Sequence, residues 1–424
     1  MSERADTPRR ILLVAYFYPP LNSIGARRPA ALAKWLRRRG HDVTVLTSVQ
    51  SGSAPDDAAA GVVRTRDLLA TRLNWRGQSL DVTTGRSDAA WDPDPGIWGK
   101  LFVPDVQIVS WMPFLVPAAR RLQRERRFDA VISTAPIEVG HAAGLALQRG
   151  GVAWVADFRD GWRFEAPRPD WPLALQRRVD DAFERLVVRR ADALVTVSEP
   201  LSADLRRRHG AAVETLTNGF DPEDEALDGT LPDGTVDPRK LTLVHTGGLG
   251  AERTLRPVLE ALARLAQEDP SVRDRVELVL AGQQTAAERD LYAAPAHAPF
   301  VRHLGYVERS TSLALQRAAD VLVLVTSGVR TGEATGKLFE YLAAGKPILV
   351  LGAGSAAGTI VPDAGAGVAI PTHDADAAEG ALRQILAGGL AAPPASARDA
   401  FAYPALAARY ERVIEQAIAT RRGS

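Results

Sequence analysis

The sequence predicts an α/β protein built from two successive parallel-sheet units. Three observations carry this. Short apolar runs of strand length alternate with amphipathic helical stretches along nearly the whole chain. One segment, 221–240, breaks the alternation with seven acids, three Pro and two Gly and little to bury. The chain has 424 residues, enough for two or three domains, and its 46% apolar content lets each half bury a core.

In the first half the strands are read at Ile11–Ala15, Asp42–Thr47, Ala130–Ser133, Val152–Ala156 and Ala193–Ser198. A helix over Arg28–Arg39 places Leu32, Trp35 and Leu36 on one face and stops at Gly40. The stretch Ser48–Pro104, rich in Gly, Asp, Thr and Pro, reads as a long excursion from the sheet. In the second half the strands are Leu241–Thr246, Val276–Ala281, Val301–Leu304, Val321–Val325, Pro347–Leu351 and Gly367–Ile370. A last helix, from about Pro404 to Arg421, repeats Leu406, Tyr410, Val413, Ile414 and Ile418 at helical spacing. The expected division is residues 1–220 with 404–424 as one unit, 221–240 as a linker, and 241–403 as the other.

Lys and Arg total 52 against 51 Asp and Glu, a net charge of +1, which gives no reason to expect nucleic acid as a partner. With no Cys, disulfides and thiolate metal sites are excluded, and the seven His show no paired zinc spacing. No apolar run approaches the roughly 18 residues of a membrane span. The run Ile11–Tyr18 reads as a strand rather than a signal peptide, so a cytoplasmic location is the default expectation.

Three places suit chemistry, because ligands of open α/β sheets gather at the C-terminal ends of strands. The first strand leads into Tyr16–Arg28, where Gly25 lets a ligand approach the backbone at a helix start. The loop has no G-x-G-x-x-G, which argues against a dinucleotide cofactor. The fourth strand ends in Asp157-Phe158-Arg159-Asp160-Gly161-Trp162, three charges directly after an apolar run. These are read as a cleft site in preference to a local ion-pair network. In Thr331–Pro347, a Gly-rich turn through Gly336 opens a helix with Lys337 and Glu340 on one face. A helix N-terminus with Lys337 suits a diphosphate and Glu340 a pair of ribose hydroxyls. A plain surface Lys–Glu pair fits the same spacing.

Taken in order, these motifs resemble glycosyltransferase family 4. The resemblance runs through Tyr16–Pro20 with Gly25, Arg39–Val43, Asp157–Trp162, Val195–Ser198, Thr217–Asp221 and Gly336–Pro347. It implies the GT-B fold: two facing Rossmann-like domains, with a C-terminal helix crossing back to the N-terminal one. It also implies a retaining transferase that moves a sugar from a nucleotide-sugar donor to a glycan, lipid-linked or small-molecule acceptor, with no cofactor. Glu340 then matches the glutamate that holds the donor ribose. Lys337 and Gly336 fall at the diphosphate, and Gly25 at the glycine loop that approaches the donor phosphates. Arg159 falls where many members place a His near the reacting sugar. Asp157 and Asp160 are expected to orient Arg159 or the acceptor. Two departures stand out. The position of the family's first motif glutamate is Gly332, with Glu333 one residue away as a candidate replacement. The family's Arg and Lys after the first strand of the second domain fall at Gly248 and Thr254. Arg253, together with Gly247, is expected to serve the phosphates instead.

Fixed cations and a helix N-terminus can stabilise a leaving diphosphate without metal, so metal-independent transfer is expected. The competing readings are a nucleotide-sugar 2-epimerase of the same fold and a non-catalytic sugar-nucleotide binder, the latter motivated by Gly332 and Gly248. Peripheral membrane contact at an inner membrane face is a further reading, set against plain solvated basic faces with Trp35 packed in the core. It would use Trp35 and Leu36 beside Lys34 and Arg37–Arg39, and Trp111–Leu115 beside the basic run Arg120–Arg127.

Overall fold

The computed structural model describes residues 7–21, 23–68, 107–166, 171, 173–224, 228–250 and 252–423. It separates into two compact units. One comprises Met1–Thr217 with Tyr403–Ser424, the other Asn218–Ala402.

The first unit holds a parallel sheet in the order β3-β2-β1-β4-β5-β6-β7. Its strands are β1 (Arg10–Ala15), β2 (Asp42–Ser48), β3 (Val62–Thr65), β4 (Ala130–Ala135), β5 (Ala153–Phe158), β6 (Ala193–Thr196) and β7 (Glu214–Thr215). Its helices are α1 (Ile24–Arg38), α2 (Gln107–Ser110), α3 (Met112–Arg126), α4 (His141–Gln148), α5 (Ala174–Arg190) and α6 (Glu199–His209). The second unit orders its sheet β10-β9-β8-β11-β12-β13. These strands are β8 (Leu241–Thr246), β9 (Val276–Ala281), β10 (Val301–Gly305), β11 (Val321–Val325), β12 (Ile348–Leu351) and β13 (Gly367–Ile370). Around them lie α7 (Arg256–Glu268), α8 (Val272–Arg275), α9 (Ala286–Ala293), α10 (Arg309–Ala318), α11 (Gly336–Ala344), α12 (Ala356–Asp363), α13 (Ala375–Leu386) and α14 (Ala395–Asp399).

Both orders are Rossmann-like. The chain winds outward from the first strand in one direction, then crosses it and winds in the other. The central strands are buried on both faces, so they read as continuous apolar runs: β1 and β9 expose almost nothing. The reversal leaves a crevice at the C-terminal ends of β1 and β4 in the first unit, and of β8 and β11 in the second.

The last helix, α15 (Tyr403–Gly423), belongs to the first unit. Leu406, Tyr410, Val413, Ile414 and Ile418 pack with Ile11, Leu13, Trp35, Leu36 and Val155 in one core. Arg9 Nε donates to Glu415 Oε1 at 2.6 Å and Arg39 Nε to Glu411 Oε2 at 2.6 Å.

Three expectations need correction. The acidic segment 221–240 is part of the second unit rather than a linker. Leu231 and Val236 pack against its core, and Asp237 N–H donates to Glu277 at 2.8 Å. Local composition hid this, since two apolar anchors suffice to hold a polar strap. The stretch Ser48–Pro104 is not wholly an excursion: Val62–Thr65 returns to the sheet edge beside β2. Residues 69–104 of that stretch lie outside the described residues. The apolar side chains expected to enter a membrane are core instead. Trp35 is 5% exposed and Leu36, Trp111 and Leu115 are 0% exposed, while Lys34 and Arg38 lie over the Trp35 ring.

Candidate functional site

In the second unit the crevice is lined by the end of β8 and the start of α11. Thr246 N–H donates to the Tyr341 hydroxyl at 2.8 Å, and Gln316 Nε2 donates to Thr246 Oγ1 at 3.0 Å. Tyr341 lies one turn beyond Lys337, so these bonds fix the first turn of α11 against the strand end. Gly247 follows with φ of +123°, a conformation that favours Gly. A Cβ there would lie 1.8 Å from Lys337 Nζ, so the ammonium fills the space that any side chain at 247 would need.

The N-terminus of α11 is open. Thr335 is the N-cap residue but makes no side-chain cap bond, and its Oγ1 is buried without a partner among the described residues. Helix N-termini leave N–H groups unsatisfied and carry partial positive charge, so they bind anions. Lys337 stands in this first turn, mostly buried and with no ion pair or hydrogen bond among the described residues. Burial above all, and then Arg253, push its ammonium down to about 8, against the pull of Glu340 and Glu333. Behind it His245 is held neutral: burial and then Lys337 push it down to about 3, while Nδ1 bonds the Val323 carbonyl at 2.8 Å.

Arg253 Nη2 donates to Glu333 Oε1 at 2.6 Å, and Ser327 N–H donates to Glu333 Oε2 at 2.9 Å. The Glu333 side chain is 6% exposed and that of Arg253 39%. Glu333 thus anchors the cation that sequence reasoning placed at the phosphates. Glu340 sits farther along α11 and accepts from Arg309 Nη1 at 2.8 Å; Arg309 also pairs with Asp224. Sequence reasoning missed Arg309 and Asp224, because no local spacing links residues so far apart in the chain; Thr335 lies inside the segment it singled out, but its open hydroxyl shows only in the fold. It also missed Tyr306, an aromatic ring 60% exposed just past β10. Exposure of a large ring cannot be read from composition.

In the first unit the corresponding crevice gathers Gly25 and Arg159. Ser23 caps α1 by accepting from Ala26 N–H. Pro29, inside this helix, has no N–H to offer the carbonyl four residues earlier, which is that of Gly25. Arg159 fills the vacancy: Nη1 donates to the Gly25 carbonyl, Nε to Ala135 O at 2.9 Å and Nη2 to Pro136 O at 3.0 Å. Its guanidinium therefore ties the first turn of α1 to the ends of β4 and β5.

Asp157 makes no hydrogen bond to Arg159, although its charge acts on that buried guanidinium. It is 1% exposed and its Oδ1 accepts from the Tyr410 hydroxyl at 2.8 Å and Arg28 Nη2 at 3.3 Å. Arg28 also donates to the carbonyls of Leu216 and Thr217 at 2.8 and 2.5 Å. The pair fastens α15 to β5. Asp160 is exposed at the rim. No group of three or more His, Cys, Asp or Glu placed to hold a metal occurs among the described residues.

Two sequence families cover most of the chain. The family described as "Glycosyl transferase 4-like domain" matches residues 25–219, and "Glycosyl transferases group 1" matches residues 240–388. The chain belongs to the GT4-like glycosyltransferases. No curated protein matches it in sequence. Among solved structures, sucrose-phosphate synthase from Thermosynechococcus elongatus is similar, with a TM-score of 0.60 at 15% identity over 97% of this chain and 99% of that one. A glycosyltransferase from Rickettsia africae aligns with a TM-score of 0.62 at 10% identity over 97% and 99%. WaaG, a glycosyltransferase involved in lipopolysaccharide biosynthesis, gives 0.53 at 17% identity over 98% and 100%. At these identities the likeness establishes the fold, which is GT-B.

Proposed function

We propose that this GT4-like transferase takes a nucleotide-sugar donor in the crevice of its second unit and passes the sugar to a hydroxyl acceptor with retained anomeric configuration. One observation carries the reading: Lys337, mostly buried and without an ion pair among the described residues, stands in the uncapped first turn of α11. Burying a cation alone is costly, and a bound diphosphate would supply its missing partner.

The donor diphosphate lies against the first N–H groups of α11, Thr335 Oγ1, Lys337 and Arg253, with Gly247 leaving room for the Lys337 ammonium. Glu340 takes the ribose hydroxyls and exchanges part of its contact with Arg309 to do so. As the glycosidic bond breaks, charge grows on the leaving diphosphate, and the fixed cations and helix dipole stabilise it without reorganising. The acceptor hydroxyl attacks on the face the diphosphate leaves, and the departing phosphate oxygen takes its proton. No carboxylate pair is needed for this, and metal is not required to balance the charge. Glu333 acts through Arg253, and Arg159 through the Gly25 backbone, as positioning residues.

The test is incubation of the purified protein with a panel of nucleotide sugars and candidate acceptors, following nucleoside diphosphate release and the anomeric configuration of the product. Acceptor-dependent release with retention, undiminished in excess chelator, is the expected result. Conversion of a donor to its 2-epimer without acceptor would replace transfer by epimerisation. No turnover of any donor, with binding intact, would leave a non-catalytic binder.

A further inference from the structure

Helix α5 presents a face that the first unit does not use. Leu175 is 71% exposed, Val179 48%, and Leu173, just before the helix, 58%. Leu175, Val179, Ala182 and Leu186 recur at helical spacing and form one stripe; Ala182 is exposed and Leu186 half-buried. Arg178, Arg185 and Arg189 run along one side of this stripe, all exposed and without an ion pair among the described residues.

The acids of the same helix turn the other way. Asp180 is 1% exposed and accepts from Trp162 Nε1 at 2.7 Å and Trp171 Nε1 at 2.9 Å. Glu184 is 1% exposed and accepts from Arg208 Nη1 at 2.7 Å. Asp181, at the margin, is paired with Arg163. The helix therefore sorts its carboxylates inward and its guanidiniums outward, so its outer face is apolar and cationic with little counter-charge.

We infer that α5 seats the first unit on an anionic lipid surface, with Leu173, Leu175 and Val179 entering the acyl boundary and Arg178, Arg185 and Arg189 meeting lipid phosphates. A row of cations beside an apolar stripe along about 25 Å of helix complements a plane of phosphates above hydrocarbon. Arginine suits phosphate in particular, since its fork bonds two oxygens at once. This surface shares no residue with those proposed to hold the donor, and it stands or falls separately from sugar transfer.

Co-sedimentation of the full chain with phosphatidylcholine vesicles, with and without phosphatidylglycerol, tests it. Binding to the anionic vesicles alone, lost at high salt, is expected. Leu175→Glu with Val179→Glu should weaken binding at least about tenfold, and Arg178→Glu with Arg185→Glu should do the same. Because these side chains are exposed, the variants should keep the melting temperature of the parent. Absence of the parent from anionic vesicles, equal binding to neutral ones, or undiminished binding by folded variants would each overturn the inference.

Discussion

The Lys337 ammonium occupies the position of the side chain that Gly247 lacks, 1.8 Å from where a Cβ would be. Strand end and helix start are thus shaped around a cation that Glu340 and Glu333 attract but that has no ion pair or hydrogen bond within the described residues. In the ligand-free protein this arrangement costs stability. Replacing Lys337 by Met should raise the stability of the second unit at pH 7 by on the order of 1–3 kcal/mol, because the charge is removed and the stem volume kept. Urea unfolding of both proteins measures this; a destabilised variant would show that the ammonium is satisfied as it stands.

The same depressed Lys337 gives a pH signature. Its folded-state value is pushed down to about 8 by burial, below that of the unfolded chain. The folded state bears the cost of the charge below about pH 8 and is relieved of it as pH rises toward the unfolded value, so stability climbs across that window. Donor affinity moves the opposite way. The protonated form binds the diphosphate, so affinity should fall above about pH 8, by up to about tenfold per unit. Calorimetric titrations from pH 6.5 to 9.5 check it, and a flat profile would count against Lys337.

Arg253 and Glu333 should behave as one device. Glu333→Gln keeps a bond to Ser327 N–H but loosens the guanidinium, and Arg253→Gln removes the charge. Each should lower kcat by about tenfold to a hundredfold, and the double variant should be little worse than Arg253→Gln alone. Strict additivity would mean that Glu333 meets substrate on its own account.

Glu340→Ala should weaken donor binding by roughly 1.5–3 kcal/mol, as expected for one charge-assisted hydrogen bond lost. Arg309→Ala should weaken it less, since it leaves the carboxylate in place. If the Arg309 change is as damaging with Glu340 intact, the ion pair rather than the ribose contact matters.

Asp157 should matter to folding before chemistry. Asp157→Ala leaves Arg28 buried without its carboxylate and should cost about 3–5 kcal/mol. Melting curves of the variant will show this. An unchanged melting temperature with lost turnover would return Asp157 to the role read from sequence, orienting Arg159 or the acceptor.

The alternation of apolar runs and amphipathic stretches exposed the two sheets because buried parallel strands leave a local mark. β3 and β7 were not legible: each is short, lies at a sheet edge and has few apolar residues to reveal it. The α11 motif was legible because Gly336, Lys337 and Glu340 are sequential. Asp157 and Arg159, though two residues apart, were read as one site, and the structure sends them to different partners. Alternate residues of a strand share a face, but Arg159 lies past the end of β5. Its partners, Gly25, Ala135 and Pro136, are backbone carbonyls that no residue pattern announces. Pro29 was the available signal, since a proline inside α1 frees the Gly25 carbonyl for another donor.

The most direct measurement is the affinity of uridine and guanosine diphosphates, and of their sugars, for the parent protein and for Lys337→Met by calorimetric titration. At least one diphosphate should bind the parent, and the variant, folded and no less stable, should bind it about ten- to a hundredfold more weakly. If no nucleoside diphosphate binds the parent, or if the folded variant binds as tightly, the α11 crevice is not the donor site.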